Sequence, residues 1–142
     1  MERVEKYALD TDFLVEFLRG RSPAVTLMAK LRESGYLATT VINAFELYWG
    51  AYKFNGKRAE DVRKLLRRMV VLNMDERIAE KAGEEIAYLE QMGLPVDVRD
   101  LFTGVISREH GYAIITGNEE HFKRIRGLSV INWRSLEPDA RP

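Results

Sequence analysis

Four side chains in this sequence have types and positions that could do chemistry together: Asp10, Glu46, Asp100 and Asn118. Asp10 closes the short apolar run from Val4 to Leu9, which reads as a strand, and Asp12 follows two residues on. Glu46 stands near the start of a helix that leaves a second strand, with Asn43 one turn earlier on the same face. Residues 98–110 carry Val98, Leu101, Phe102, Val105 and Ile106 at the recurrence of a helix with one buried side. Asp97 and Asp100 are three apart and project from one face of its first turn. This helix runs directly into YAIIT, a buried strand, so its first turn lies near that strand's C-terminal end, beside Thr116 and Asn118. Four placements made independently fall on one edge of a sheet, the edge where parallel α/β sheets bind ligands.

Carboxylates gathered at one point repel, and some must protonate unless a cation neutralises them. The chain has no cysteine and only two histidines, so thiolate and histidine-rich metal centres are excluded and an oxygen site for Mg²⁺ or Mn²⁺ remains. Asp10, Glu46 and Asp100 are expected to meet closely enough to share one ion or its water shell. The chemistry expected of such a site is phosphodiester hydrolysis. Taken singly, each acid has a plainer use. Asp10 and Asp12 could cap the following helix, Asp97 and Asp100 could answer a helix dipole, and Glu46 could be solvated. Those uses leave the shared edge unexplained.

The elements that must position these residues alternate. After the first strand, Phe13, Leu14, Phe17 and Leu18 give a helical stripe stopped by Gly20. Ser22-Pro23 reads as an N-cap with proline at the first helical position, opening a helix to Gly35. Tyr36–Thr39 is a second strand and 41–54 a helix. Asn55-Gly56 turns the chain into a basic helix over about 57–69, and Val70–Leu72 is a third strand. A long helix marked by Ile78, Ala82, Ile86 and Leu89 closes at Gly93 and Pro95, and Leu128–Ile131 supplies the last strand. Strands separated by helices imply a parallel sheet covered on both faces. Two helices between strands two and three, and two between three and four, imply that one of each pair projects outward. The cluster Phe45, Tyr48, Trp49, Tyr52 and Phe54 then faces a partner in part, or packs in the core.

The bulk numbers agree with one compact domain. At 142 residues the chain can bury a core. Twenty-two Lys plus Arg against 22 Asp plus Glu leave a net charge of zero, which argues against a surface that grips nucleic acid everywhere. No apolar run reaches membrane-spanning length, and MERVEKYALD lacks the apolar core of a secretory signal, so a soluble cytoplasmic protein is expected. Residues 1–134 are expected to form the domain, with 135–142 a frayed tail.

Three segments carry a family resemblance: YALDTDFLV, TTVINAFELYWGA and VRDLFTGVISREHGYAIITGNEEHFKRIRGLSVINW. In this order and spacing the chain resembles PIN-domain proteins and, among them, the VapC-type ribonuclease toxins of toxin–antitoxin pairs, over about residues 4–133. The resemblance implies a three-layer α/β/α domain with a central parallel sheet of about five strands and a protruding helical pair. It also implies Mg²⁺- or Mn²⁺-dependent endoribonuclease activity, a VapB-type antitoxin partner and a homodimer. By position, Asp10, Glu46 and Asp100 are the acidic metal-site residues. Asn118 falls where many relatives have a fourth acid, which puts a second tightly held ion in doubt. Thr116 and Thr11 match supporting hydroxyls, while Asp12 and Asp97 are outer candidates. Gly104 and Ser107 stand where relatives often have Ala, loosening the helix slightly.

Among the basic residues, Lys123, Arg124 and Arg126 follow Asn118 and are candidates for RNA phosphate contacts. Those of the 57–69 helix read as a solvated face. His121 reads as structural rather than catalytic, and His110 as a dipole partner at a helix end. Two further functions compete: a PIN-domain RNA-processing nuclease without a toxin role, and a receiver-like signalling domain with Asp75 as phosphoacceptor. The second leaves Glu46 and Asp100 idle and lacks the lysine expected after the last strand.

Overall fold

The computed structural model describes residues 5–136. Residues 1–4 of the expected domain and residues 137–142 of the expected 135–142 tail lie outside the described residues. Five parallel strands, β1 (Glu5–Leu9), β2 (Gly35–Thr40), β3 (Val70–Leu72), β4 (Ala113–Thr116) and β5 (Val130–Asn132), form one sheet in the order β3-β2-β1-β4-β5. A receiver-like domain would follow the order 2-1-3-4-5, so the strand order excludes that alternative.

Alternation along each strand divides the core in two. Leu9 and Ile115 face one side, where they pack with α1 (Thr11–Leu18), α2 (Ala24–Ser34), α3 (Val41–Lys53) and α4 (Ala59–Arg67) through Phe13, Leu14, Met28, Leu47 and Val62. Ala8, Ala38 and Ile114 face the other side. There they meet α5 (Glu76–Gln91), α6 (Val98–Glu109) and the short α7 (Glu119–Phe122) through Ile78, Leu101, Val105 and Phe122. The result is a three-layer α/β/α domain. In the second layer α6 lies on β2 and β4 while α5 packs against α6. On the first side Phe45, Trp49, Tyr52 and Phe54 are exposed, and Tyr48 packs against the core.

Several boundaries differ from the sequence expectation for local reasons. Ser22 does not cap α2. Pro23 holds the cap position without a side-chain bond, its carbonyl accepting the Leu27 N–H. The basic helix begins later, at Ala59, because Asn55 and Gly56 both take left-handed backbone (φ 74° and 72°) and turn the chain first. The last strand shifts to Val130–Asn132, the register in which Ile114 pairs with Val130 and Thr116 with Asn132. A single turn of 3₁₀ helix follows at Trp133–Ser135, and Trp133 is buried edge-on against Phe13 at 5.6 Å between ring centroids. Gly104, expected only to loosen α6, makes room for the neighbouring chain: a Cβ there would collide with Ile125 and crowd Leu128 and Phe122. The Ser107 hydroxyl turns back to donate to the Thr103 carbonyl at 2.8 Å.

The chain steps outward from β1 to β2 to β3, then crosses back to the other flank for β4 and β5. The connections leaving β1 and β4 therefore diverge to opposite faces. The crevice between them is the topological switch point of the sheet.

Candidate functional site

Asp10 is the first residue beyond β1 and still belongs to its ladder, its N–H donating to the Ile115 carbonyl at 2.9 Å. Pairing of Leu9 with Ile115 puts Asp10 level with Thr116, the last residue of β4. Asp10 is 7 % exposed, and both its oxygens are occupied. One accepts from the Thr11 N–H (2.9 Å) and from Asn43 Nδ2 (3.0 Å), and the other from Thr116 Oγ1 (2.7 Å). Asp10 is thus also the N-cap of α1, so the plain and the functional readings of this residue coexist.

The α3 helix brings the second acid. Thr40, the last residue of β2, caps it in a reciprocal box with Asn43. This fixes the buried Asn43 amide, whose Nδ2 also donates to Thr11 Oγ1 at 2.9 Å. The Thr11 hydroxyl in turn donates to Glu46 Oε1 at 2.5 Å. The other oxygen of Glu46 is 3.4 Å from Arg99 Nη1. A chain of neutral donors therefore runs from Asp10 through Asn43 and Thr11 to Glu46.

The third acid comes from α6. Asp97 caps this helix by accepting the Arg99 N–H at 2.8 Å, and Asp100 follows in the first turn as expected. Asp100 Oδ2 lies 3.1 Å from His121 Nδ1 and 3.4 Å from Asn118 Nδ2, and the Asn118 N–H donates to Thr116 Oγ1 at 2.9 Å. Asp12 closes the other flank, accepting from the Gly117 N–H (2.8 Å) and from Trp133 Nε1 (3.3 Å). A Cβ at Gly117 would meet the Asp12 carboxylate, so glycine is what lets these two segments touch. Asp10, Thr11, Asp12, Glu46, Asp100 and Asn118 together line one open cleft of about 390 Å³, whose remaining wall is Trp49, Gly50, Lys53 and Arg99.

Electrostatics sets the character of the cleft. Burial pushes the Asp10 carboxyl up to about 7. The Thr116 and Thr11 hydrogen bonds oppose the rise, and the charges of Asp12 and Asp100 add to it. Burial also raises Asp100, with Asp97 adding and His121 opposing. Asp97, held by the Arg99 N–H, is lowered. Two desolvated acids lining one cleft, each raised further by a neighbouring carboxylate, are groups a cation would relieve.

A PIN-domain family model matches residues 7–128. The chain belongs to the PIN-domain family. Among curated relatives, this PIN domain is 26% identical over 130 residues to "tRNA(fMet)-specific endonuclease VapC" of Shigella flexneri, covering 90% of this chain and 98% of the relative. The namesake from Salmonella typhimurium is 25% identical over the same length. Among solved structures, VapBC2 from Rickettsia felis bound to a promoter DNA fragment superposes with a TM-score of 0.81 at 24% identity, covering 90% of this chain and 98% of that one. VapBC-1 from nontypeable Haemophilus influenzae gives 0.80 at 24% identity, covering 92% and 99%.

The PIN-domain site departs from the sequence reading in its cations and in His121. Among the described residues, no group of three or more His, Cys, Asp and Glu side chains stands close enough to ligate one ion directly, so of the two expected arrangements for Asp10, Glu46 and Asp100 the shared water shell is the one that fits. Each acid is pinned by neutral or cationic neighbours. Lys123, Arg124 and Arg126 do not line the cleft. Lys123 pairs with Glu119, Arg124 with the Pro95 carbonyl, and Arg126 with Glu85 while lying over the Tyr88 ring. The cleft's cations are Arg99 and Lys53, which the sequence reading passed over. Arg99 sits directly before Asp100, a signal that was available; Lys53, two turns beyond Glu46 on α3, was masked by the aromatic cluster around it. His121, read as structural, touches Asp100 itself.

Proposed function

We propose that this PIN-domain protein is a Mg²⁺- or Mn²⁺-dependent endoribonuclease and the toxin of a toxin–antitoxin pair. The observation that carries the reading is the convergence of Asp10, Glu46 and Asp100 on one cleft at the switch point, two of them desolvated. The names of the curated VapC relatives support RNA as substrate.

The donor set suits a hard ion in a partly hydrated form. Mg²⁺ takes one or two carboxylates and keeps several waters, so a set of acids too spread for full ligation still fits it. Asp10 and Asp100 would hold the ion, and Glu46 would reach it through water. Such an ion supplies water activation near neutral pH and neutralises charge on a phosphoryl group. The chain's own residues do the rest. Thr116, Thr11 and Asn43 hold the Asp10 carboxylate in one orientation. Asn118 and His121 do the same for Asp100, and Arg99 balances Glu46. Both oxygens of Asp10 already accept hydrogen bonds, so little reorganisation is needed when the RNA arrives.

An apolar groove of about 290 Å³ beside the cleft, with Val15, Leu18, Leu47, Phe54 and Val62 on its walls, supports an antitoxin of the VapB kind as partner. The exposed Tyr52 of α3, which does not line the cleft, supports a homodimer. Among the described residues no helix is long and apolar enough to cross a membrane. The test is cleavage of a labelled RNA pool with Mg²⁺ or Mn²⁺ and with EDTA, using the parent and Asp100→Asn. Cleavage is expected only with the metal and only in the parent, with the variant folded. Cutting in EDTA, or a parent-like rate in the variant, overturns the assignment.

A further inference from the structure

The chain's two tryptophans are used in opposite ways. Trp133 is buried and its indole N–H is bonded to Asp12. Trp49 is 49 % exposed and stands on the wall of the acidic cleft, three residues beyond Glu46 on α3. A half-exposed indole next to the reacting groups contributes little to the core, so its exposure calls for another occupant. Phe45 stacks on Trp49, with ring centroids 5.7 Å apart and planes 28° off parallel, and fixes its orientation. Two cations flank the ring: Arg99 at 5.6 Å from the centroid and Lys53 at 5.8 Å.

We infer that Trp49 is a stacking platform for an unpaired base of the RNA next to the scissile phosphate, with Lys53 and Arg99 taking the phosphates on either side. The inference rests on the RNA reading above and adds to it how the strand is held. Charge complementarity at the ring favours a nucleic acid over an apolar peptide, because among the described residues the two cations lining the cleft, Arg99 and Lys53, both flank it. Magnitudes allow the exchange. Exposed cation–π contacts near the outer limit of ~6 Å are worth about 0.5–1 kcal/mol. Stacking of a base on an aromatic ring is worth ~1–3 kcal/mol. A base can therefore displace Lys53, which then meets a phosphate instead, while Arg99 meets the other phosphate without leaving Glu46 and Asp97. An unpaired base presents a free face and a duplex does not, so the platform selects single-stranded segments.

The experiment is binding of a short end-labelled single-stranded RNA in EDTA, where no turnover is needed, read by anisotropy and by tryptophan emission. Parent emission is expected to be quenched by the single strand and not by the same sequence as duplex. Trp49→Ala is expected to lose the quench and to bind about 10-fold more weakly. Trp49→Phe should recover most of the affinity, at a thermal midpoint within about 2 °C of the parent, since surface changes cost little. Equal affinity for parent and Trp49→Ala overturns the inference. So does a shift in oligomeric state by light scattering with RNA affinity unchanged, which would make the ring a contact between copies. Failure of the nuclease reading shows separately, as absence of metal-dependent cleavage by the parent.

Discussion

Replacing Asp10 by Asn should make the metal-free protein more stable, and the gain should depend on pH. Asp10 is buried, and its carboxyl is raised from 3.8 to about 7. Between those values the folded protein keeps a proton that the unfolded chain has released, so stability falls as pH rises and levels off above about 7. At about 1.36 kcal/mol per pKa unit, ionising this group costs the fold at most ~4 kcal/mol. The neutral amide avoids that cost. It can still accept from the Thr11 N–H and Asn43 and donate to Thr116, losing about 1 kcal/mol to altered hydrogen bonding. A net gain of ~3 kcal/mol at about pH 8, turning into a small loss by about pH 4 where only the altered hydrogen bonding remains, is expected from urea denaturation in EDTA. Mn²⁺ at about 1,000 times Kd should reverse the order, adding ~4.1 kcal/mol to the parent and nothing to the variant. An Asp10→Asn protein no more stable than the parent near neutral pH, or stabilised by Mn²⁺ to the same degree, would refute the reasoning.

Thr116→Val removes the hydroxyl that donates to Asp10 and accepts from the Asn118 N–H. It should cost ~1–3 kcal/mol in denaturation and slow RNA cleavage, and parent-like values for both would contradict its place in the site. Asn118→Asp adds a charge beside Asp100 and removes its amide donor. It should destabilise the protein in EDTA and tighten Mn²⁺ binding by calorimetry, whereas unchanged affinity would separate Asn118 from the ion. Away from the cleft, Glu85 is buried but held low, because bonds from the Arg126 backbone and side chain and from Arg108 outweigh the effect of burial. Its stabilisation is present above its unfolded value and lost as pH falls through the lowered one. Glu85→Ala should cost about 2–4 kcal/mol near neutral pH with no effect on cleavage chemistry, and a neutral result would show the cluster to be dispensable.

The shared edge of the site residues was legible in the sequence because its logic is topological. A parallel strand followed by a helix, or entered from one, fixes which end of the sheet a residue near the junction occupies. That is why Asp10, Glu46, Asp100 and Asn118 were assigned to one edge without coordinates. Apolar periodicity likewise located α1, β3 and α6. What escaped was direction across space. Lys123, Arg124 and Arg126 are close to Asn118 in the chain, but α7 and the following turn carry them towards Glu119, Pro95 and Glu85. Arg99 reaches Glu46 only because α3 and α6 pack together, a contact between residues 53 positions apart (99 minus 46) that no local pattern encodes. Gly104 looked like a small cost to a helix; its role as the seat of Ile125 depends on a segment twenty-one residues later (125 minus 104).

Anomalous diffraction from crystals soaked in Mn²⁺ puts the heart of this account to the test. The expected result is one peak in the cleft within coordinating distance of the Asp10 and Asp100 carboxylates, with water between it and Glu46, and no peak in Asp10→Asn crystals. A cleft without Mn²⁺ at concentrations that sustain RNA cleavage would contradict it.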